Sequence, residues 1–410
     1  MNDARRFLLS HRGSIEIAPL QVYVSALIFS PSNSLIRRLF SQEEPIWIEL
    51  KPRVESNWNA CLQTLEGHDD RVASVVFSDG GQRLASASAD KTVKIWDTIS
   101  GACLQTLEGH DDRVASVVFS NDGQRLASGS FDKTVKIWDA ASGACLETLE
   151  GHNDRVRSVV FSNDGQRLVS GSSDKTIKIW DATSDICLHT LEGHCGTVAS
   201  VVLSSDRQRL ASGSFDKTVK IWDTTSSVCL QTLKGHGHMI NSVVFSNDGQ
   251  RLASASGDET VKIWDATSGA CLQTLQGHVD WVRSVVFSDD GQRLASASDD
   301  KTVKIWETAS GACLQSLEGH DHTVASVMFS NDGKRLASAS DDKTVKIWGA
   351  TSGACLQSLE GHGDRVASVA FSNDGERLAS GSSDKTVKIW DATSGTCLQT
   401  LLVGLTISRC

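Results

Sequence analysis

Histidine, serine and aspartate recur in this chain at a spacing that invites a hydrolytic reading. His68, Ser86 and Asp90 are followed by Trp96. A serine hydroxyl paired with an imidazole that a carboxylate orients is the nucleophile of acyl transfer. The set does not occur once, however. It returns as His110, Ser128, Asp132 and Trp138, then as His152, Ser170, Asp174 and Trp180. His194, Ser212, Asp216 and Trp222 follow, and then His236, Ser254, Asp258 and Trp264. His278, Ser296, Asp300 and Trp306, His320, Ser338, Asp342 and Trp348, and His362, Ser380, Asp384 and Trp390 complete the series. A catalytic triad need appear only once, so eight identical copies read as scaffolding. A buried indole N–H, hydroxyl and imidazole need partners in any case, and a carboxylate can fix the imidazole.

Other chemistry is sparse. Eight of the twelve histidines belong to these sets. His238 and His322 each sit two residues after a set histidine, but no third metal ligand is evident nearby. Nine of the eleven cysteines, Cys61 to Cys397, follow one fixed step and read as small buried hydrophobes with free thiols. Cys195 stands apart in a loop, where exposure is expected. No phosphate loop of the form G-x-x-x-x-G-K-[ST] is present, and Gly333-Lys334-Arg335 is a turn between strands. G-x-S-x-G, H-E-x-x-H and C-x-x-C are absent as well. No cofactor and no enzymatic activity are expected.

The elements that carry these residues repeat with them. Gly-His occurs at 67, 109, 151, 193, 235, 277, 319 and 361, a step of 42 each time. Lys-Ile-Trp keeps the same step, and six of the eight tryptophans are followed by Asp, with Glu307 and Gly349 the exceptions. Within one repeat, Val114–Ser120, Arg125–Ser130, Thr134–Asp139 and Cys145–Leu149 read as short strands. Asn121-Asp122-Gly123, Asp132-Lys133 and Ser142-Gly143 supply the turns. The strands are apolar on both faces, as a sheet sandwiched between two neighbours requires. A period of about 40–45 residues with Gly-His and Trp-Asp resembles the WD-repeat family over residues 61–401.

That resemblance implies an all-β fold, an eight-bladed WD-repeat β-propeller with a short helical N-terminal segment. It also implies that each His, Ser, Asp and Trp set is a hydrogen-bonded tetrad. The expected domains are a helical connector at 1–57, a propeller of eight 42-residue repeats at 58–402, and a tail at 403–410. There are nine copies of the fourth strand, from Cys61–Leu65 to Cys397–Leu401, so two of them compete for the last blade. The N-terminal copy usually wins in this family. Seven blades plus a spare repeat is the alternative.

Internal comparison places the variation. One variable stretch follows Gly-His and includes Arg71, Arg113, Met239 and Trp281, with Arg157 and Arg283 at the start of the next strand. The other is the residue before the tetrad Asp: Ala89, Phe131, Ser173, Phe215, Gly257, Asp299, Asp341 and Ser383. Both lie in loops beside the inner strands, on the top face around the channel mouth. Loops on a rigid scaffold are where binding residues reside. Phe131, Phe215, Trp281, Met239, Arg157 and Arg283 form the apolar and basic part of the expected partner surface, with Arg71 and Arg113; Asp299 and Asp341 mark an acidic arc. Aromatic residues and Arg dominate such sites. The bland alternative is that Phe131 and Phe215 pack on their own blades.

The net charge of −10, without a basic run, argues against a nucleic-acid partner. Val22–Phe29 is too short to span a bilayer, so no membrane insertion is expected and the cytoplasm is the simplest location. Asp3–Ser10, Pro19–Phe29 and Ser34–Phe40 read as helices. Ala18-Pro19-Leu20-Gln21, Ser25–Phe29, Lys51–Val54 and Trp58 resemble the connector before the repeats of fungal NACHT–WD proteins, NLR-like signalling NTPases of the vegetative-incompatibility type. This resemblance implies a ligand-sensing propeller that binds a protein on its top face, with an NTPase domain in cis in a longer gene product. A general WD-repeat adaptor bridging proteins in a ubiquitin ligase, organelle division or signalling is the alternative.

Overall fold

A computed structural model describes residues 3, 7, 26–43, 54 and 60–393. Thirty-two strands, β1 to β32 in chain order, form eight four-stranded antiparallel sheets. In the first blade β2 (Val72–Phe77), β3 (Arg83–Ser88), β4 (Val93–Asp97) and β5 (Cys103–Leu107) pair in sequence order. The expected strand bounds agree with the structure to within a residue, as in Val114–Phe119 for the inner strand of the second blade.

The eighth blade settles how the ring closes. β30 (Val366–Phe371), β31 (Arg377–Ser382) and β32 (Val387–Asp391) take β1 (Cys61–Leu65) as their fourth strand. Cys61 lies opposite Trp390 and Leu65 opposite Val387, the register that Cys103 and Leu107 keep against Trp96 and Val93. The competing copy at Cys397–Leu401 lies outside the described residues, as do the tail at 403–410 and most of the first two expected helices. Eight blades replace the seven-blade alternative.

No blade is complete by itself. Ala85, Ala87, Val93, Ile95 and Leu107 of the first blade form one cluster with Val114, Val117, Phe119, Leu126 and Trp138 of the second. The same pattern joins the eighth blade to the first, where Ala379, Val387 and Ile389 meet Val72, Val75, Phe77 and Leu84. The apolar area of each sheet is therefore buried against its neighbours, which is what drives stacking of repeats.

One expectation fails. Cys103, Cys145, Cys187, Cys271, Cys313 and Cys355 are exposed, and Cys61 and Cys229 are half-buried. The fourth strand is the outer edge of its blade, and only its inner end, such as Leu107, reaches the core. The thiol instead turns along its own strand, Cys103 Sγ donating to the Gln105 carbonyl at 3.4 Å. Cys103, Cys145, Cys187, Cys195, Cys229, Cys271 and Cys313 are free, and Cys195 is exposed as expected.

Ahead of the ring, residues 26–29 are helical and α1 (Leu35–Leu39) is capped by Ser34. Asp3 Oδ2 accepts from Ser34 Oγ at 3.0 Å and from the Ile36 N–H at 2.8 Å. Phe7, Ala26 and Leu27 pack there with Ile36. No described helix is long and apolar enough to cross a membrane.

Candidate functional site: the top face of the ring

The tetrads anchor this face. In the second blade Trp138 Nε1–H donates to Ser128 Oγ at 2.8 Å. Ser128 Oγ lies 2.8 Å from His110 Nε2, and His110 Nδ1 lies 2.7 Å from Asp132 Oδ2. A carboxylate only accepts, so the proton sits on Nδ1; Nε2 then accepts from the serine. Each link recurs in all eight blades, and each serine is fully buried. The hydroxyl is thus held by an indole and sealed from any substrate carbonyl.

The carboxylate also reaches into the variable loop. Asp132 Oδ2 accepts from the Asp111 N–H at 2.9 Å, and Oδ1 accepts from Thr134 Oγ1 at 2.7 Å. Burial opposes ionisation of Asp132, but the hydrogen bond from His110 and the bonds from Thr134 outweigh it and hold the carboxyl well below the usual range. The same direction holds at the other seven tetrad aspartates, with Asp384 held at about 2.

The two variable places of every repeat are joined by one backbone bond. The N–H of Phe131 donates to the Arg113 carbonyl at 2.9 Å, that of Phe215 to Thr197 at 2.8 Å, and that of Asp299 to Trp281 at 2.9 Å. Ala89 pairs with Arg71, Gly257 with Met239 and Asp341 with Thr323 in the same way. Sequence variation is therefore concentrated in contiguous pairs that sit on rigid tetrads.

Three groupings result. Phe131 lies beneath three guanidiniums, with Arg113 at 4.6 Å, Arg155 at 5.1 Å and Arg157 at 5.5 Å from its ring centroid. Arg157 also lies 5.8 Å from Phe215 and donates to Ser173 Oγ at 2.8 Å. Among the described residues no carboxylate comes within 4.0 Å of these three guanidiniums. Burial first, then the like charge of Arg155, with Asp154 opposing and Arg113 adding, pulls Arg157 below the usual arginine value. Phe131 and Phe215 are half-buried, so they pack on the ring and still show an edge to solvent.

Trp281 defines the second grouping. Arg283 lies 5.1 Å from its ring and forms a two-point ion pair with Asp299 at 2.7 and 2.5 Å. His238 packs on the other blade's side of Trp281, centroids 5.1 Å apart. Gly257 makes that possible, because a Cβ there would lie 2.6 Å from His238 Nδ1. Met239 is half-buried and contributes its carbonyl to this corner. The third grouping is acidic: Asp341 lies 3.9 Å from His322, and the hydrogen bond to Asp299 together with Asp280 and Asp341 raises the pKa of Arg283 despite burial. Arg71 is exposed, and its carbonyl accepts from the Ala89 N–H at 2.9 Å. Arg155 and His238 lie in the variable stretch after Gly-His but were not singled out; that variation was their only signal. Among the described residues no group of three or more His, Cys, Asp or Glu is placed to hold a metal.

A family model described as WD domain, G-beta repeat matches residues 59–97, 101–139, 143–181, 185–223, 227–265, 269–307, 311–349 and 353–391. The chain belongs to that family of repeat propellers. It is 63% identical over 101 residues to the vegetative incompatibility protein HET-E-1 of Podospora anserina, a stretch that is 25% of this chain and 7% of the relative. It is 34% identical over 101 residues to the nuclear distribution protein nudF 1 of Talaromyces marneffei, covering 23% of this chain and 22% of that protein. The chain thus spans under a quarter of these relatives. Among solved structures, the computationally designed Ika8 protein superposes with a TM-score of 0.73 at 33% identity, over 80% of this chain and 98% of its own.

Proposed function

We propose that the chain is a non-catalytic recognition module that holds a protein partner on its top face, as the sensing propeller of a fungal NLR-like non-self recognition protein. The observation that carries this reading is the cluster at Phe131. Three guanidiniums lie over one ring with no carboxylate within 4.0 Å among the described residues, next to Phe215. Like charges held together and partly dehydrated are costly unless something neutralises them on binding. An acidic, apolar protein segment does so, and Arg with aromatic residues forms the usual energetic centre of such contacts. The identity with HET-E-1 supports the non-self reading, and an NTPase domain in cis in a longer product belongs to it. The free thiols of Cys103, Cys145, Cys187, Cys195, Cys229, Cys271 and Cys313 suit the reducing cytoplasm.

The general adaptor reading has one observation in its favour. Similarity over 101 residues to nudF 1, a nuclear distribution protein, supports it. The test is affinity capture from the source cytosol with the intact chain and with a Phe131→Ala, Phe215→Ala, Trp281→Ala variant. The variant is expected to keep its melting temperature within a few degrees and to lose the partner at least 100-fold, since hot-spot truncations cost about 2 kcal/mol or more each. Capture that persists, or that depends on residues 1–57 instead, contradicts the top-face reading and favours the adaptor.

A further inference from the structure

The third and sixth blades use the same two places of the repeat differently. Arg157 and Arg283 each stand second in the inner strand of their blade, and Ser173 and Asp299 each precede the tetrad aspartate. In the sixth blade the chain neutralises its own arginine. Arg283 donates from Nε and Nη2 to the two carboxylate oxygens of Asp299, at 2.7 and 2.5 Å. In the third blade Arg157 donates from Nε to the Ser173 hydroxyl at 2.8 Å, and its terminal nitrogens meet no acceptor among the described residues. Proton affinity follows the difference. The bond to Asp299 raises the pKa of Arg283, whereas burial and then the charge of Arg155 lower that of Arg157.

Arg157 is also one of three. Arg113 and Arg155 share the Phe131 ring with it, so three positive charges gather around one point. Arg155 is exposed, and Arg113, Arg157, Phe131 and Phe215 are half-buried, so the cluster is open to a ligand from solvent. The sixth blade shows what one carboxylate does in this setting: it takes one guanidinium through two bonds. At the Phe131 cluster the same exchange would leave two charges unmet. A phosphate monoester carries a charge of about −2 and three strong acceptor oxygens. Guanidiniums bind such oxygens through paired N–H groups, and these bonds are stronger than those between neutral groups.

We propose that Arg113, Arg155 and Arg157 form a receptor for a phosphorylated serine or threonine side chain of a partner protein, with an apolar residue beside the phosphate seated on Phe215. The inference rests on the top-face recognition proposed above and names the chemistry that this face reads. Phe215, 5.8 Å from Arg157, favours a protein segment over a free anion, because a bare phosphate gains nothing from a ring. Ser173 holds Arg157 in place without cancelling its charge, which is the part that Asp299 cannot play for Arg283.

The test titrates nitrogen-labelled full chain with three probes: a capped Gly-phosphoserine-Leu-Gly peptide, a capped Gly-Asp-Leu-Gly peptide and inorganic phosphate. The phosphopeptide is expected to shift the Nε–H signals of Arg113, Arg155 and Arg157 and the Phe131 and Phe215 amides, saturably. The aspartate peptide should bind at least about ten-fold more weakly, and inorganic phosphate at least several-fold more weakly. Ser173→Asp copies the pair of the sixth blade into the third, so it should fold, melt within a few degrees of the parent, and weaken the phosphopeptide at least about ten-fold. Arg155→Gln changes an exposed side chain and should weaken it several-fold at unchanged melting temperature. Absence of shifts at the cluster, full binding in both variants, or equal binding of the aspartate peptide overturns the proposal. Inorganic phosphate bound as tightly as the phosphopeptide overturns its assignment to a protein segment. Failure of the phosphopeptide, with capture still lost in the Phe131→Ala, Phe215→Ala, Trp281→Ala variant, removes the phosphate and leaves top-face recognition standing.

Discussion

A chain cut to residues 66–393 is expected to melt far below the full chain and to lose its single sharp transition. Removing β1 leaves β32 as an unpaired edge and strips the cover from the last blade. Leu65, 1% exposed, contributes about 2 kcal/mol of buried apolar area. The ladder to β32 and the bond from Lys388 Nζ to Thr64 Oγ1, at 2.8 Å, add about 1 kcal/mol each. A loss of roughly 4 kcal/mol is a large part of the stability of any domain. The edge it exposes also invites association with other chains. A chain of residues 58–393, which keeps β1, should melt within a few degrees of the parent. Cys61–Leu65 and Cys397–Leu401 are the same five residues, so a chain that lacks the first and keeps the second should regain most of the loss. Calorimetry on the four chains checks this. Equal melting of 66–393 and 58–393 would mean that β1 does not close the ring.

The second large effect is acid lability. Eight tetrad carboxylates are held below the aspartate range in the folded chain, while the unfolded chain has them near about 3.9. A depressed folded value stabilises above the unfolded one and loses that contribution as pH falls through the folded value. The melting temperature should therefore be nearly flat between about pH 5 and 7 with respect to these groups and fall steeply below about pH 4. Unfolding near pH 3 should take up several protons, because eight sites change together. Asp132→Asn removes one acceptor from His110 and from the Asp111 N–H. That variant should melt lower at pH 7 and take up about one proton fewer on acid unfolding. A melting temperature that is the same at pH 3 and pH 6 would refute the role of the carboxylates.

Much of this molecule is written in its period. The strands, the tetrads and the pairing of the two variable places follow from comparing one repeat with the next, because 42-residue copies must occupy equivalent places. The cysteines misled for a physical reason: a residue on a fixed step looks like core, yet the step also places residues on an outer edge such as β5. Ring closure was not decided by pattern, since the two candidate strands are identical in sequence and only pairing with β32 distinguishes them. Arg155 and His238 acquire meaning from their neighbours, Phe131 and Trp281, which lie on adjacent blades.

The central claim is that partners are read by the top face of a closed eight-bladed ring. Hydrogen exchange of the chain alone and with its captured partner tests it most directly. The expected result is protection confined to the amides around Arg113, Phe131, Arg155, Arg157, Phe215, Met239, Trp281 and Arg283. Protection confined to the outer strands, from Cys103–Leu107 round to Cys355–Leu359, with the top loops unchanged, would contradict it.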